Sequence, residues 1–435
     1  MIAAAAAAGD TIVALSSGRP PAAVAVVRTS GPQAIAMLEA VAGRPAPVAR
    51  AVTLRKLRDP DNGELIDEAL ILLFPAPASA TGEDVVEYQC HGGRAVVERL
   101  LAVLTSLDGA RLAEPGEFTR RALINGRIDL TEAEGLADLL EAETEAQRRS
   151  ALALAEGGLR RQAEAWRAQI LALSARAEAA IDYVGDEDET ALDVAALVTQ
   201  ARAMAADIRG WLARPRAERL REGARVVAAG PPNAGKSSLI NALAESERAI
   251  VTPIPGTTRD VIEIPIQMDG LPLVLVDTAG VRASDDPVER IGVARAEQEA
   301  RCADILVWLG DGTPPSHSNV IALHPRTDLP GREVPPAGRI AVSVSTGLGL
   351  DTVRAEILAR VRDVLPDPGT VALNVRQAAC LTTAADALDL AHGQADIAVV
   401  ANSLTIARAA FDRLTGHAGV DDLLDALFSR FCLGK

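Results

Sequence analysis

At 435 residues, 49% of them hydrophobic, the chain is too long for one ordinary core and predicts two or three domains. Aromatics are only 2%, so the cores must be packed from Ala, Leu, Val and Ile, and a net charge of −15 excludes a protein that coats nucleic acid through its bulk charge. No apolar run reaches the ~18 residues of a membrane span, the Ala-rich start lacks the basic segment of a signal peptide, and a cytoplasmic location is expected.

Residues 1–122 mix short apolar runs with Gly/Pro turns. TIVAL, AAVAVVRT, EALILLF and DVVEYQCHGG predict strands, and RAVVERLLAVLTSL predicts a helix. From residue 123 to 217 the texture is helical. LTEAEGLADLL opens with Thr131 as N-cap and Glu134 three residues on, a capping box. Leu159, Ala163, Trp166, Ile170, Leu173, Ala177 and Ile181 then form one stripe of a long amphipathic helix. A further helical stretch, DVAALVTQARAMAADIRGWLA, ends at Pro215. After a third segment, 218–364, Pro366 and Pro368 mark a linker, and helical texture resumes over 365–435 with Leu381, Ala384, Leu388 and Ala391, TIARAAFDRL and DDLLDALFSRF. Two helical blocks around residues 218–364 predict one helical domain into which the middle segment is inserted, after a small α+β N-terminal domain.

The middle segment carries the chemistry. The apolar strand ARVVAAG runs straight into GPPNAGKS, which fits G-x-x-x-x-G-K-[ST] with Gly230, Gly235, Lys236 and Ser237 in register. Such glycines let backbone N–H groups close on phosphate oxygens, and the following helix N-terminus adds its dipole. Lys236 would reach the β- and γ-phosphates and Ser237 would hold Mg2+. Only three of the 44 basic residues are lysines (Lys56, Lys236, Lys435), so a lysine kept here points to a required compact ammonium. AIVTPIPGTTRDV follows at the distance of a first switch loop, with Thr258 as second hydroxyl on the magnesium side. VIEIPIQ and LPLVLVD, joined by Asp269-Gly270, read as a hairpin leading into DTAG, with Asp277 near the magnesium and Gly280 turning toward the γ-phosphate. The order of parts is that of a Ras-like α/β G domain.

Many small GTPases place a water-orienting Gln directly after this glycine; here the position is Val281. Asn233 in the phosphate loop and Glu289 in SDDPVERIG are the two candidates for that work, although from the residues alone Glu289 reads as part of a solvated helix face. After the strand NVIAL an N-K-x-D base-reading element is expected. The chain has Pro325-Arg326-Thr327-Asp328 instead, so Asp328 remains to accept from a guanine edge while the side-chain amide is absent. SVSTGLG sits where a backbone amide would meet the guanine oxygen.

Taken end to end, DTIVAL, VVRTSGP, TGEDVVEYQCHGG, EPGEFTRRALINGRIDLTEAEGLADL, GPPNAGKSSLINAL, IVTPIPGTTRDV, DTAGVR, VERIG and the final FCLGK resemble the tRNA modification GTPase family MnmE (TrmE), of the TrmE-Era-EngA-YihA-Septin-like class. The resemblance implies a homodimer formed through the N-terminal domain, which also binds 5-formyl- or methylene-tetrahydrofolate. It also implies GTP hydrolysis stimulated by K+ at paired G domains. The implied partners are tRNA and an FAD-dependent protein of the MnmG (GidA) type, in a heterotetramer. The implied product is a carboxymethylaminomethyl or aminomethyl group at carbon 5 of the wobble uridine of certain tRNAs.

By motif, the resemblance assigns the nucleotide to Asn233, Ala234, Gly235, Lys236, Ser237, Ser238, Thr252, Pro253, Ile254, Pro255, Gly256, Thr257, Thr258, Asp277, Thr278, Ala279, Gly280 and Asp328. It assigns Mg2+ to Ser237 and Thr258, and K+ to Asn233, Thr252, Ile254 and Thr257. Glu289, with Asn233 and Lys236, becomes catalytic, Glu289 as the water-positioning carboxylate. Folate falls to Arg28, Glu87, Arg127 and Lys435. Cys432 reads either as a thiol nucleophile or as a packed structural cysteine. His91 reads as a turn residue, Cys90, Cys302 and Cys380 as core, and residues 185–190 as a solvated acidic loop. The rival reading, an Era-like ribosome-assembly GTPase, predicts an appended basic RNA-binding domain, whereas this tail is helical and carries acidic residues. A degenerate dimeric scaffold would need a damaged phosphate loop, and this one is intact.

Overall fold

The computed structural model describes residues 9–182, 194–249, 262–278, 298–367, 369–391 and 396–417, together with 424, 427, 428, 431 and 434. By compactness the chain divides into Met1–Ala137 with Asp412–Lys435, and Asp138–Phe411.

In the first unit β1 (Thr11–Leu15), β2 (Val24–Ser30), β3 (Thr53–Arg58), β4 (Leu65–Phe74), β5 (Val85–His91) and β6 (Ala110–Leu112) form one sheet, in the order β3-β4-β5-β2-β1-β6. All neighbours are antiparallel except β1 and β6. Period-two alternation decides the faces. Ala25 and Val27, Ala69, Ile71 and Leu73, and Val86, Tyr88 and Cys90 point inward. They pack under α1 (Ala34–Ala42) and α2 (Arg94–Ser106) through Met37, Leu38, Val41, Val97, Leu100 and Leu104. The opposite face holds Arg28 across from Glu87 and exposed Leu54 across from exposed Leu70. At its β1 end α3 (Glu117–Ile124) covers it, seating Phe118 on Ile12 and Ala14.

The α4 helix (Leu130–Glu141) corrects an expectation. Its capping box is Asp129 with Glu132, not Thr131 with Glu134: Glu132 N donates to Asp129 Oδ1 (2.8 Å) and Asp129 N donates to Glu132 Oε2 (2.7 Å). Thr131 lies one residue inside the helix and gives its hydroxyl to Asp129 Oδ1 (2.8 Å). Asp129 directly precedes the first helical residue, and its Oδ1 accepts from both Glu132 N and the Thr131 hydroxyl, so Thr131 falls within the first turn instead of capping it. Leu130, Ala133 and Ala137 then pack with Leu424, Leu427, Phe428 and Phe431.

In the second unit, described helices precede and follow a second sheet. They are α5 (Glu145–Ala155), α6 (Gly158–Asp182), α7 (Val194–Leu212) and α8 (Ala217–Glu222) before it. Then comes α9 (Lys236–Glu245) between its strands, and α10 (Leu350–Val364), α11 (Val375–Leu390) and α12 (Ile397–Thr415) follow its last strand. The stripe predicted for α6 is buried at Leu159, Ala163, Trp166, Ile170, Leu173 and Ala177, but Ile181, the next-to-last residue of the helix, is exposed. Trp166 holds the two helical blocks together. Its ring meets Trp211 edge-on at 5.7 Å and Phe411 at 5.6 Å, and its Nε1 donates to Asp207 (2.7 Å). Arg209 of α7 adds ion pairs to Asp386 and Asp389 of α11.

The sheet between these blocks is made of β7 (Ala224–Ala229), β8 (Arg248–Ala249), β9 (Ile262–Met268), β10 (Leu271–Asp277), β11 (Ile305–Leu309), β12 (Val320–Pro325) and β13 (Ile340–Val342). Its order is β13-β12-β11-β7-β10-β9-β8, parallel from β13 to β10 and antiparallel at β9 and β8. Central parallel strands buried on both faces read as continuous apolar runs, which is why ARVVAA and LPLVLVD carried the signal. The architecture is a Ras-like α/β G domain inserted into an all-helical domain, after a small α+β domain.

Candidate functional site

The phosphate loop leaves the sheet at β7, whose neighbours β10 and β11 run parallel to it, so three strand C-termini open on one edge. Gly230 has φ +152°, and a Cβ there would lie 2.3 Å from the Leu309 carbonyl oxygen, so the close approach of the two strand ends requires glycine. Asn233 (φ 57°) and Gly235 (φ 98°) turn the loop into α9, whose first residue is Lys236. The orphan N–H groups of that first turn face the loop.

Lys236 is buried, and its ammonium donates to the carbonyls of Gly230 (3.1 Å) and Pro231 (3.0 Å). Burial holds its pKa below the usual lysine value, with the Asp277 carboxylate opposing that shift. Asp277 is buried at the last position of β10, opposite Ala228, and Thr278 Oγ1 donates to the Ala228 carbonyl (2.8 Å). Ala234 packs into the core, while Asn233, Ser237 and Ser238 are exposed at the mouth. Thr252, Pro253, Ile254, Pro255, Gly256, Thr257, Thr258, Ala279, Gly280 and Glu289 lie outside the described residues, as do Cys432 and Lys435.

The base-reading candidates converge from two strand ends. β12 ends at Pro325, and β13, its parallel neighbour, ends just before Ser343. Ser345 Oγ donates to Asp328 Oδ2 (2.9 Å), and Ser343 Oγ lies 3.0 Å from Ser345 Oγ. The two serine hydroxyls, Ser343 foremost, hold the Asp328 carboxyl below the usual carboxylate range. Asp328 is therefore an ionised acceptor at neutral pH, set beside the SVST loop.

In the first unit Arg28 and Glu87 face each other in register, and Arg28 Nη2 pairs with Glu87 Oε1 at 2.7 Å, with the guanidinium 5.7 Å over the Phe118 ring. Arg127 is held separately, its Nε donating to the Ser79 carbonyl (3.1 Å). His91 is the exposed last residue of β5, and its Nδ1 meets Asp67 Oδ1 at 2.8 Å. Burial, with Asp67 nearby, pushes the Cys90 thiol up to about 11, which keeps it an inert core group. Cys302 is exposed and Cys380 half-buried, so the core expectation holds for Cys90 alone of the three.

Residues 11–127 match the family description "GTP-binding protein TrmE N-terminus", and residues 130–432 match "MnmE helical domain". A curated protein of Erythrobacter litoralis named tRNA modification GTPase MnmE is 51% identical over 429 residues, 98% of this chain and 100% of its own length. The chain belongs to the MnmE family. A second MnmE, from Rhizorhabdus wittichii, is likewise 51% identical, over 99% of this chain and 98% of its own. The solved G domain of the T. maritima FeoB iron transporter is 24% identical and aligns with 32% of this chain and 98% of its own. Its TM-score of 0.24 adds no weight to the fold, which rests on the strand order above.

Sequence reasoning missed one polar group in this MnmE-family G domain. His324, Asp311, Arg332 and Arg339 gather behind the base-reading turn, and all four are hydrogen-bonded. The signal available was a histidine at the end of the otherwise apolar strand VIALHP, next to the departure at Pro325.

Proposed function

We propose that this MnmE-family GTPase hydrolyses GTP with Mg2+ and K+ assistance and couples that reaction to tRNA wobble-uridine modification. In this reading it acts as a cytoplasmic homodimer with an FAD-dependent partner of the MnmG type. Residues 1–122 bind a one-carbon tetrahydrofolate, 218–364 form the G domain, and 123–217 with 365–435 form the helical domain around it.

The observation that carries the reading is the buried Lys236 at the first turn of α9, under a loop that only Gly230 can form. Its ammonium is provisionally satisfied by two carbonyls, which β- and γ-phosphate oxygens can replace with stronger charge-assisted bonds. The donor set at the mouth fits a hard cation: the exposed Ser237 hydroxyl and the buried Asp277 carboxylate are oxygen donors of the type Mg2+ takes. Mg2+ would supply charge neutralisation across the phosphates. Asn233 presents its amide at the loop's exposed turn, in keeping with a K+ ligand, and Asp328 beside the SVST loop is in keeping with guanine selection. Val281 offers nothing to a water, so orientation of the attacking water falls to Glu289.

In the N-terminal domain, Arg28 and Glu87 place one cation and one carboxylate side by side on the sheet face, half-buried beside Phe118 of α3. That combination suits a ligand with both an acid tail and an amine-bearing ring. The exposed Leu54–Leu70 cross-strand pair on the same face supports a subunit contact there.

Steady-state GTP and ATP hydrolysis in matched K+ and Na+ buffers tests the reading, with Asn233→Gly beside wild type. Glycine removes the amide yet tolerates the positive φ that alanine would strain. K+ stimulation that vanishes in the variant is the expected result. Equal rates in both salts would overturn the cation-assisted mechanism.

A further inference from the structure

The Asn of an N-K-x-D element would bring a side-chain amide to position 325. Pro325 has none, and its ring removes the backbone donor as well. The turn that carries Asp328 needs other holds, because Arg326 and Asp328 are exposed and Arg326 stands at φ 61°. Thr327 N donates to the Val342 carbonyl (3.3 Å) and Ser345 Oγ to the Asp328 carboxylate (2.9 Å), which leaves the far side of the turn to be closed. The backbone makes two successive turns here, Leu329 N to Arg326 O (3.1 Å) and Arg332 N to Leu329 O (3.1 Å). The Arg332 side chain then returns to the start, its Nε donating to the Pro325 carbonyl (2.9 Å). Residues 325–332 are thereby closed into a ring with Asp328 inside it.

The ring is anchored to the rest of the G domain through Asp311. Arg332 Nη2 donates to Asp311 Oδ2 (3.0 Å), while Asp311 Oδ1 meets Nδ1 of the buried His324 at 2.5 Å. His324 Nε2 lies 3.1 Å from the Arg332 carbonyl, so the imidazole joins both ends of the ring to Asp311. Arg339 fixes the segment that carries Asp311, its Nη2 donating to the carbonyls of Asp311 (3.1 Å) and Gly312 (2.6 Å). That segment also abuts the phosphate loop: a Cβ at Gly310 would sit 3.0 Å from Pro231 Cδ. A continuous chain of contacts therefore runs from the phosphate loop to the base-reading turn.

We propose that Arg332, braced by Asp311 and His324, is a positioning residue for guanine recognition: it orients Asp328 in place of the missing side-chain amide. The inference rests on the reading of Asp328 as the base-reading carboxylate. Arginine suits the task because its planar fork serves two acceptors at once, the Pro325 carbonyl through Nε and Asp311 through Nη2. A lysine ammonium has no such fork.

The test compares GTP with inosine triphosphate, which lacks only the exocyclic amine that Asp328 would accept from. Competition against a fluorescent guanine nucleotide on the full-length protein gives both dissociation constants. A hydrogen bond to a charged acceptor predicts that the wild type prefers GTP by about tenfold or more. Arg332→Met is expected to cut that ratio to about threefold or less while leaving inosine triphosphate affinity within about threefold of wild type. Arg332→Lys, lacking the fork, is expected not to restore it. A merely structural role would weaken both nucleotides together, and that parallel loss overturns the proposal, as does an unchanged ratio. Should Arg332→Met fail to fold, Asp311→Asn carries the same test, because it keeps the shape and removes the charge that anchors the guanidinium. A wild type that binds both nucleotides equally removes the Asp328 assignment and this inference with it. A wild type that binds neither overturns the nucleotide-site reading itself.

Discussion

Lys236→Met separates what the phosphate-loop lysine does for the fold from what it does for the ligand. The ammonium is buried, and its pKa is depressed: burial penalises the charge by more than its surroundings return. The sign follows directly. A lysine whose folded pKa lies below the unfolded value binds fewer protons in the native state, so stability rises with pH as the solution passes from the folded value toward the unfolded 10.5. Methionine keeps the unbranched stem and removes the charge, leaving the Gly230 and Pro231 carbonyls at the loop rim. Replacing a desolvated charge by an apolar side chain of similar volume is expected to change stability by about 0 to +2 kcal/mol. The melting temperature of the nucleotide-free protein should therefore hold or rise by a few degrees, at about 2–4 °C per kcal/mol for a domain of this size. Nucleotide affinity should fall by about a hundredfold or more, since charge-assisted phosphate contacts are lost outright. Differential scanning calorimetry and a fluorescent-nucleotide titration read the two effects. A melting temperature lowered by more than about 5 °C would make Lys236 a brace of the loop and refute the reasoning, as would retained affinity.

Gly230→Ala places a Cβ 2.3 Å from the Leu309 carbonyl at φ +152°, and should cost about 2 kcal/mol or more in urea denaturation together with GTP binding; an unchanged midpoint refutes the close-approach argument. Trp166→Ala removes the ring between α6, α7 and α12 and leaves Asp207 without the indole donor, for an expected loss of about 3–5 kcal/mol in urea. Trp166→Phe should recover about half of that, and equal losses would count against the packing account. In the N-terminal unit, burial raises the pKa of Asp10 and Glu117, but hydrogen bonds from Arg111 and Arg121 outweigh it and both end below their usual values. Their contribution is present above the unfolded values of 3.8 and 4.5 and is lost as pH falls through the lower folded ones. Arg121→Met should flatten that acid limb of the stability curve, measured by denaturant titration between about pH 3 and 6; an unaltered slope would show that other carboxylates set it.

Local chemistry was legible where one stretch of chain contains all its own causes. The α6 stripe reads from 3.6-residue periodicity and fails only at Ile181, where the helix is about to end. The Asp269-Gly270 turn reads from the need for positive φ, and both residues adopt it, at 52° and 77°. The phosphate loop reads from its motif, although the close approach that requires Gly230 comes from Leu309 at the end of another strand. What did not read was long-range. Arg111 and Arg121 are paired with Asp10, about a hundred residues earlier. Ser16 donates its hydroxyl to the Gly434 carbonyl (2.8 Å) across 418 positions, and Gly434 is pressed so close that a Cβ would meet the Leu15 carbonyl at 2.3 Å. No periodicity announces such pairs. The Arg332 ring lies between these cases, since its turns are local but Asp311 comes from the end of another strand.

The sheet also ties the two segments proposed to sense the γ-phosphate to the helical part of the same unit. β9 begins directly after residues 250–261, and β10 ends at Asp277, where DTAG begins. Both segments thus leave from one end of a single hairpin, whose seven paired positions span about 20 Å. The other end is gripped three ways. Ala146 N of α5 donates to the Gly270 carbonyl (3.2 Å), Arg362 of α10 pairs with Asp269 (2.5 Å), and Ala146 itself sits in the core beneath the sheet. Gln147, the capping-box residue of α5, reaches on to the Leu220 carbonyl of α8 (3.1 Å). A paired hairpin resists bending within its ladder, so a shift at the phosphate end is not absorbed along its length. Such a shift would reach the turn, which α5 holds through the Gly270 carbonyl and α10 through Asp269. Although Asp269 itself is exposed, the Ala146–Gly270 hydrogen bond joins the hairpin turn to α5 and makes the hairpin a connection rather than an edge.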